Sequence, residues 1–300
     1  MDFGKLPDVS DINFELPPDN LITTKTLSLS EKKKPKVFVG LPVWASKEWL
    51  GKIYPSSAKN QDYLYHYTRQ FNTIELNVTH YQIPTPDTIQ KWREASAKGF
   101  VFCPKFPQII SHDKQLQGVE GLTAEFCERI LDLKEHLGMS FLQLAPYFSP
   151  RQARVLANFL NILPKNLPMA VEFRHPDWFT NMRVWEETME LLKHHQATTV
   201  ITDVAGRRDV MHATIPIPKL ALRWVGNAHT SDYTRIDEWV QKFKQWLQEG
   251  LEELYIFVHI NDNHIAPELA NYWITELNKH CQLNLIPPQF LPKVVQGELF

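Results

Sequence analysis

The chain has 300 residues, 43% of them hydrophobic and 22% charged, with a formal net charge of -2 and a pI near 6.6. Such a composition buries a sizeable core and excludes disorder over most of the length, and its near-neutral balance lacks the general basic field that holds a phosphate backbone, so nucleic acid is not the expected partner. The three cysteines, Cys103, Cys127 and Cys281, are odd in number and far apart, which excludes a zinc spacing and a complete disulfide framework.

The first residues show no basic stretch followed by an apolar run, and no apolar run approaches the ~20 residues of a membrane span, so a cytoplasmic protein without a membrane partner is expected. Residues 1–35 carry prolines, scattered aspartates and the run Glu31-Lys-Lys-Lys-Pro35 without a sustained apolar period. They predict an N-terminal extension outside the folded domain, with Lys32 to Lys34 as a solvated linker. From residue 36 onward a single domain is expected. Short apolar runs predict strands at 37–40, 73–77, 100–105, 141–144, 169–174, 198–203, 220–225 and 254–260, with amphipathic segments between them. Thr85-Pro86 and Ser149-Pro150 each set a capping hydroxyl before a proline at the first helical position, and Gly138 and Gly250 suit helix stops. Trp239, Val240, Phe243, Trp246 and Leu247 fall on one helical stripe that packs against the sheet. Eight such units without a Gly-x-Gly-x-x-Gly after any strand predict an α/β fold, a (β/α)8 TIM barrel, and no dinucleotide cofactor.

Side chains two positions apart on a strand share a face. Glu75 pairs in this way with Asn77, Glu172 with Arg174, and His259 with Asn261, while Lys105, Gln143, Asp203 and Arg223 also lie late in their strands. Barrel enzymes build their sites at this end, and unpaired ions there cost on the order of several kcal/mol each, so a purely structural sequence would place Val, Ile or Leu instead. The bland alternative is a buried network such as Glu172 with Arg174, or Glu75 with Lys105. Cys103 shares the parity of Lys105, but no neighbouring histidine marks it as a nucleophile.

These positions carry a family resemblance. Phe71-Asn-Thr-Ile-Glu75-Leu-Asn77-Val-Thr-His-Tyr81, Gly99-Phe-Val-Phe-Cys-Pro-Lys105 with Ser111-His112, Leu142-Gln143-Leu-Ala-Pro146 and Ala170-Val-Glu172-Phe-Arg174-His175-Pro-Asp-Trp178 resemble successive strands of the YecE-like family, domain of unknown function 72. The similarity continues through Asp203, Leu222-Arg223-Trp and Phe257-Val-His259-Ile-Asn261, over roughly residues 37 to 280. It implies a cytoplasmic TIM barrel whose activity is unassigned and is sometimes compared with sugar isomerases. One departure is visible. The family's polar turn leading to tryptophan is replaced here by Gly40-Leu-Pro-Val-Trp44.

The reading that follows is acid-base chemistry, hydrolysis or isomerisation, on a sugar-like or phosphorylated small molecule. Glu75, Glu172 and Asp203 are the catalytic candidates, because neighbouring charges can push carboxyl pKa values apart. Lys105 and Arg174 suit an anionic group, Trp44, Tyr81 and Trp178 a sugar face, and Asn77, Gln143, His175, Arg223, His259 and Asn261 complete the binding candidates. A second reading is a metal-dependent isomerase or phosphoesterase, since Glu75, His80, Glu172, His175, Asp203 and His259 are ligand types for divalent ions. No fixed ligand spacing occurs, so no cofactor and no tightly bound zinc are predicted, and a weakly held Mg²⁺ or Mn²⁺ stays open. A third reading is a non-catalytic ligand-binding protein in which residues 1–35 serve a partner that the sequence does not identify.

Overall fold

A computed structural model describes residues 4–292. Its eight parallel strands are β1 Lys36–Leu41, β2 Thr73–Leu76, β3 Val101–Pro104, β4 Ser140–Gln143, β5 Met169–Glu172, β6 Ala197–Asp203, β7 Lys219–Val225 and β8 Glu253–His259. The helices are α1 Leu21–Ser28, α2 Tyr63–Gln70, α3 Val78–Tyr81, α4 Pro86–Ala95, α5 Glu120–Leu131, α6 Ala153–Asn161, α7 Asp177–Thr180, α8 Met182–His194, α9 Ser231–Glu249 and α10 Ala266–Cys281. Strands pair in the order β3-β2-β1-β8-β7-β6-β5-β4. The remaining seam is bridged by Gly138 N donating to Phe102 O at 2.7 Å and Phe106 N donating to Phe141 O at 3.0 Å. The fold is therefore the expected (β/α)8 TIM barrel, nearly closed. No helix is long and apolar enough to cross a membrane.

Local chemistry explains the element ends. Thr85 Oγ1 accepts from Thr88 N with Pro86 opening α4, as predicted, and Ser149 caps a short turn that runs into α6. Gly250 ends α9 at φ +135°, a backbone angle that side chains rarely adopt. Gly138 has a different job from the one expected. A Cβ there would sit 2.8 Å from Cys103 Sγ and 3.1 Å from Phe102 O, so its lack of a side chain lets the β3 and β4 segments approach and bridge the seam.

Alternating strand residues build two cores. Outward residues such as Ile74, Phe102 and Leu222 pack against the helices, where Trp239, Phe243 and Trp246 of α9 are fully buried. Inward residues fill the lower barrel: Phe38 stacks on Tyr255 with ring centroids 4.6 Å apart, beneath Phe141, Phe257 and Ala170. This apolar plug closes one end, so the polar inward residues nearer the strand C-termini form the floor of an open mouth.

The segment before β1 corrects an expectation. Between β6 and β7 the chain forms only a 3-10 turn, Ala205–Val210, among its described elements. Helix α1 takes the vacant place: Thr23 Oγ1 donates to Ala213 O at 2.6 Å, and Ile215 N donates back to it at 3.0 Å. On one flank α1 and α8 line a shared groove, α1 contributing Ile22 and Lys25 and α8 Met189 and Lys193. On the other, Asp19 pairs with Lys242 at 2.8 Å and accepts from Trp246 Nε1 at 3.1 Å, both on α9. The described part of the extension thus belongs to the barrel wall, because two strands without a crossover helix would otherwise expose their apolar flank.

Candidate functional site

Above the apolar plug lies a layer of ion pairs centred on Arg223, a late inward residue of β7. Its Nε and Nη2 donate to Glu75 at 2.9 and 3.1 Å, and its Nη1 lies 3.1 and 3.2 Å from the two oxygens of Glu172. Glu75 accepts further from Asn77 Nδ2 at 2.9 Å and bonds His259 Nε2 at 2.7 Å. Glu172 accepts from Gln143 Nε2 at 2.7 Å and Thr202 Oγ1 at 2.8 Å, with Arg174 Nε 3.2 Å away. Burial alone would raise both carboxyl pKa values. The surrounding cations and hydrogen bonds outweigh it, holding Glu75 well below the usual range and Glu172 at about 2. Both are therefore fixed anions rather than free proton acceptors.

Over this layer opens a cavity of about 340 Å³ lined by Asn77, Tyr81, Lys105, Arg174, Arg223, His259 and Asn261. Lys105, the first residue after β3, is only 3% exposed, and among the described residues its Nζ has no hydrogen-bond or ion-pair partner. Burial, then the positive charge of Arg223, push its pKa down to about 8. The carboxylates that could have paired with it are engaged by Arg223. Among the described residues three cations, Lys105, Arg174 and Arg223, thus accompany two carboxylates at the mouth, an excess of positive charge.

The other sequence-selected residues fall elsewhere. Asp203 points outward: it pairs with Arg235 at 3.0 Å and with Arg208, and accepts from Trp239 Nε1 at 2.8 Å. Its neighbour Thr202 takes the inward place, because residues 200 and 202 carry the interior parity of β6. Trp178 is fully buried against Phe148 and Phe173, with its Nε1 donating to Phe148 O at 2.8 Å, so it is core rather than a sugar platform. Trp44 packs edge-on against Trp92 at 6.1 Å, outside the cavity lining. His175 Nδ1 accepts from Asp177 N at 3.2 Å, the turn-forming role. Gln143 lies beneath the cavity in the ion-pair layer and does not line it.

Three features in or beside the mouth were not selected from sequence as substrate-binding groups, although His80 was among the ligand types for divalent ions. Gly4, Lys5 and Leu6 line the cavity, with Gly206 N donating to Gly4 O at 2.9 Å; no local pattern could show this long-range return. His80 packs on the backbone beyond β3, its Nδ1 bonding Phe106 O at 2.8 Å while Nε2 is buried without a partner. His112 stands with its ring centroid 5.3 Å from that of His80, in the π-turn Ile109–Asp113. Burial, followed by the charge of Lys105, lowers both imidazoles to about 4, so they are neutral near pH 7. The signal available was Asn77-x-x-His80, one helical turn beyond a strand end. Among the described residues no group of three or more His, Cys, Asp or Glu side chains is arranged to hold a metal ion. Cys103 faces the interior as its parity suggests, but burial raises its thiol to about 12. A second cavity, about 390 Å³, opens at the other end of the barrel beside Asn72 and Phe100, away from this cluster.

Comparison with known proteins agrees with the fold. A family model described as "Protein of unknown function DUF72" matches residues 38–293. The UPF0759 protein YecE of Escherichia coli K12 is 32% identical over 263 residues, covering 81% of this chain and 93% of that protein. The UPF0759 protein YunF of Bacillus subtilis is 24% identical over 164 residues, 52% of this chain and 57% of its own length. Among solved structures, a DUF72 family protein of Enterococcus faecalis superposes with a TM-score of 0.65 at 17% identity, covering 86% of this chain and 98% of that one. One from Thermotoga maritima gives 0.59 at 23% identity, with 82% and 99% covered.

Proposed function

This chain belongs to the DUF72 family, and we propose that its barrel mouth binds a small anionic metabolite of the sugar-like or phosphorylated class and transfers a proton on it. The observation that carries this reading is Lys105, a buried amine without a counter-ion among the described residues. Burying an unpaired ammonium costs several kcal/mol on the order of magnitude that applies to protein interiors, and an incoming carboxylate or phosphate would offset that cost. Arg174 lines the cavity and adds its positive charge to that of Lys105, and Asn77, Asn261 and Tyr81 offer hydrogen bonds to hydroxyls.

The geometry favours Lys105 over the carboxylates as the proton-handling group. A Lys105 amine titrating near 8 exchanges protons close to neutral pH, as a general base or acid needs to. Glu75 and Glu172 hold Arg223 in position below.

Thermal melts with a panel of sugar phosphates, small carboxylates and inorganic phosphate test the binding half. A ligand at a hundred times its dissociation constant should stabilise the protein by about 2.7 kcal/mol. Arg174→Lys should weaken that effect by replacing the planar guanidinium with a compact ammonium. Exchange of ligand protons in deuterated buffer, followed by NMR, tests the chemistry. If no anion raises the melting temperature of the parent protein, the reading is wrong; if anions bind and no proton exchanges, the mouth is a binding site alone.

A further inference from the structure

We propose that Lys105 is a carbonyl-trapping amine, whose Nζ forms an imine with the aldehyde or ketone carbon of a small substrate that also carries a carboxylate or phosphate. This inference rests on the anion-binding reading above and adds the group that reacts.

Geometry supports it in three ways. Lys105 opens the loop after β3 and lines the cavity, so Nζ is presented to a bound molecule. Both nearby carboxylates are engaged by Arg223, through contacts of 2.9 to 3.2 Å, so neither forms an ion pair with the ammonium. Lys105 is buried, which disfavours its charged form most, and Arg223 and Arg174 stand close enough for their charges to oppose protonation as well, while Glu75 and Glu172 favour it. With a pKa of about 8, roughly one Lys105 amine in ten is neutral at pH 7, against about one in three thousand for an ordinary lysine. Only the neutral amine is a nucleophile.

The step balances without a redox partner. The Nζ lone pair attacks the carbonyl carbon, the carbonyl π pair moves to oxygen, and that oxygen takes up a proton to give a carbinolamine. Nitrogen loses one proton, the hydroxyl leaves as water after protonation, the nitrogen lone pair closes the C=N bond as an iminium, and loss of the second nitrogen proton gives the imine. Amine and carbonyl thus become imine and water. Solvent at the open mouth can take up the protons that nitrogen loses and supply those that the departing hydroxyl needs; His80, lowered to about 4 and outside the cavity lining, is too weak a base for that task. Arg174 would hold the anionic end of the substrate, and a cavity of about 340 Å³ favours a molecule at the small end of the ligand range.

The test is reductive trapping on the full-length protein. Pyruvate and dihydroxyacetone phosphate are each added with borohydride and the modified lysines located by peptide mass mapping. Lactate and glycerol phosphate, which keep the anion and lack the carbonyl, serve as competitors and as thermal-shift ligands. The expected result is a reduced adduct on Lys105 enriched by about two orders of magnitude over surface lysines at pH 7, in line with the neutral fractions, suppressed by excess alcohol analogue, and absent at that position in Lys105→Arg. Because the mapping is done on the parent protein, the outcome does not depend on a variant folding. Adducts spread evenly over surface lysines, or none on Lys105 while an alcohol analogue raises the melting temperature, would overturn the imine and leave the anion site standing. No adduct and no thermal shift from any of the four probes would overturn both.

Discussion

Arg223 and Glu75, 148 residues apart in sequence, form a two-pronged pair in which Nε and Nη2 of the guanidinium meet the two carboxylate oxygens at 2.9 and 3.1 Å. The same guanidinium spans to Glu172, so one cation serves two buried anions. Removing it should leave both carboxylates uncompensated, and Arg223→Ala is expected to lose at least the ~3–5 kcal/mol typical of breaking a buried pair. Arg223→Lys keeps the charge but not the fork, and should fall between Ala and the parent. Urea titrations of the three proteins check this ordering; a Lys variant as stable as the parent would show that the fork contributes nothing.

Asp203 should behave as a wall residue. It ties Arg235 and Trp239 of α9 to the end of β6, with Arg208 alongside. Asp203→Ala removes one of two carboxylates paired with the buried Arg235, the other being Asp232 at 3.2 Å, so a loss of about 1–3 kcal/mol is expected, while the affinity of anions for the mouth stays within about twofold. Calorimetric titration of a melt-verified Asp203→Asn protein is the measurement, and a large loss of affinity with an intact fold would return Asp203 to the site.

Stability should fall in mild acid through buried histidines. His212 Nδ1 accepts from Thr214 N at 3.2 Å, which leaves Nε2–H to donate to Val200 O at 3.3 Å. A second proton on Nδ1 would face an N–H donor, and burial accordingly lowers this imidazole from 6.5 to about 4, as it does those of His80 and His112. Between these values the unfolded chain binds more protons than the folded one, so the contribution is present above pH 6.5 and is lost as pH falls towards 4. For His212 the loss is on the order of a few kcal/mol. Melting temperatures over this range should drop, and less steeply in His212→Asn; an unchanged slope in the variant would assign the acid sensitivity to other groups.

Helix α1 should be part of the folding unit. Leu27 is fully buried, and its truncation to Ala should cost about 2–5 kcal/mol, as in an ordinary core. An independent extension would make the same change neutral. Denaturant unfolding of Leu27→Ala distinguishes the two, with a change near zero counting against α1 as the missing crossover helix.

The sequence alone was enough for the barrel, for its eight strands and for most of the mouth. Period-two alternation is local, so Glu75, Lys105, Glu172, Arg174, Arg223 and Asn261 could be assigned to one face and one end from neighbours alone. Tertiary structure decided what alternation leaves ambiguous. Thr202 and Asp203 are both polar at the end of β6, and only the register of the closed barrel turns the first inward and the second towards α9. It also decided which charges meet, because Arg223 reaches Glu75 and Glu172 across the barrel interior and so leaves Lys105 without an ion pair among the described residues. Residues 1–35 read as an extension because they lack a sustained apolar period. The place of their described part on the wall depends on a helix missing nearly two hundred residues later, as the contact between Thr23 and Ala213, 190 residues apart, records.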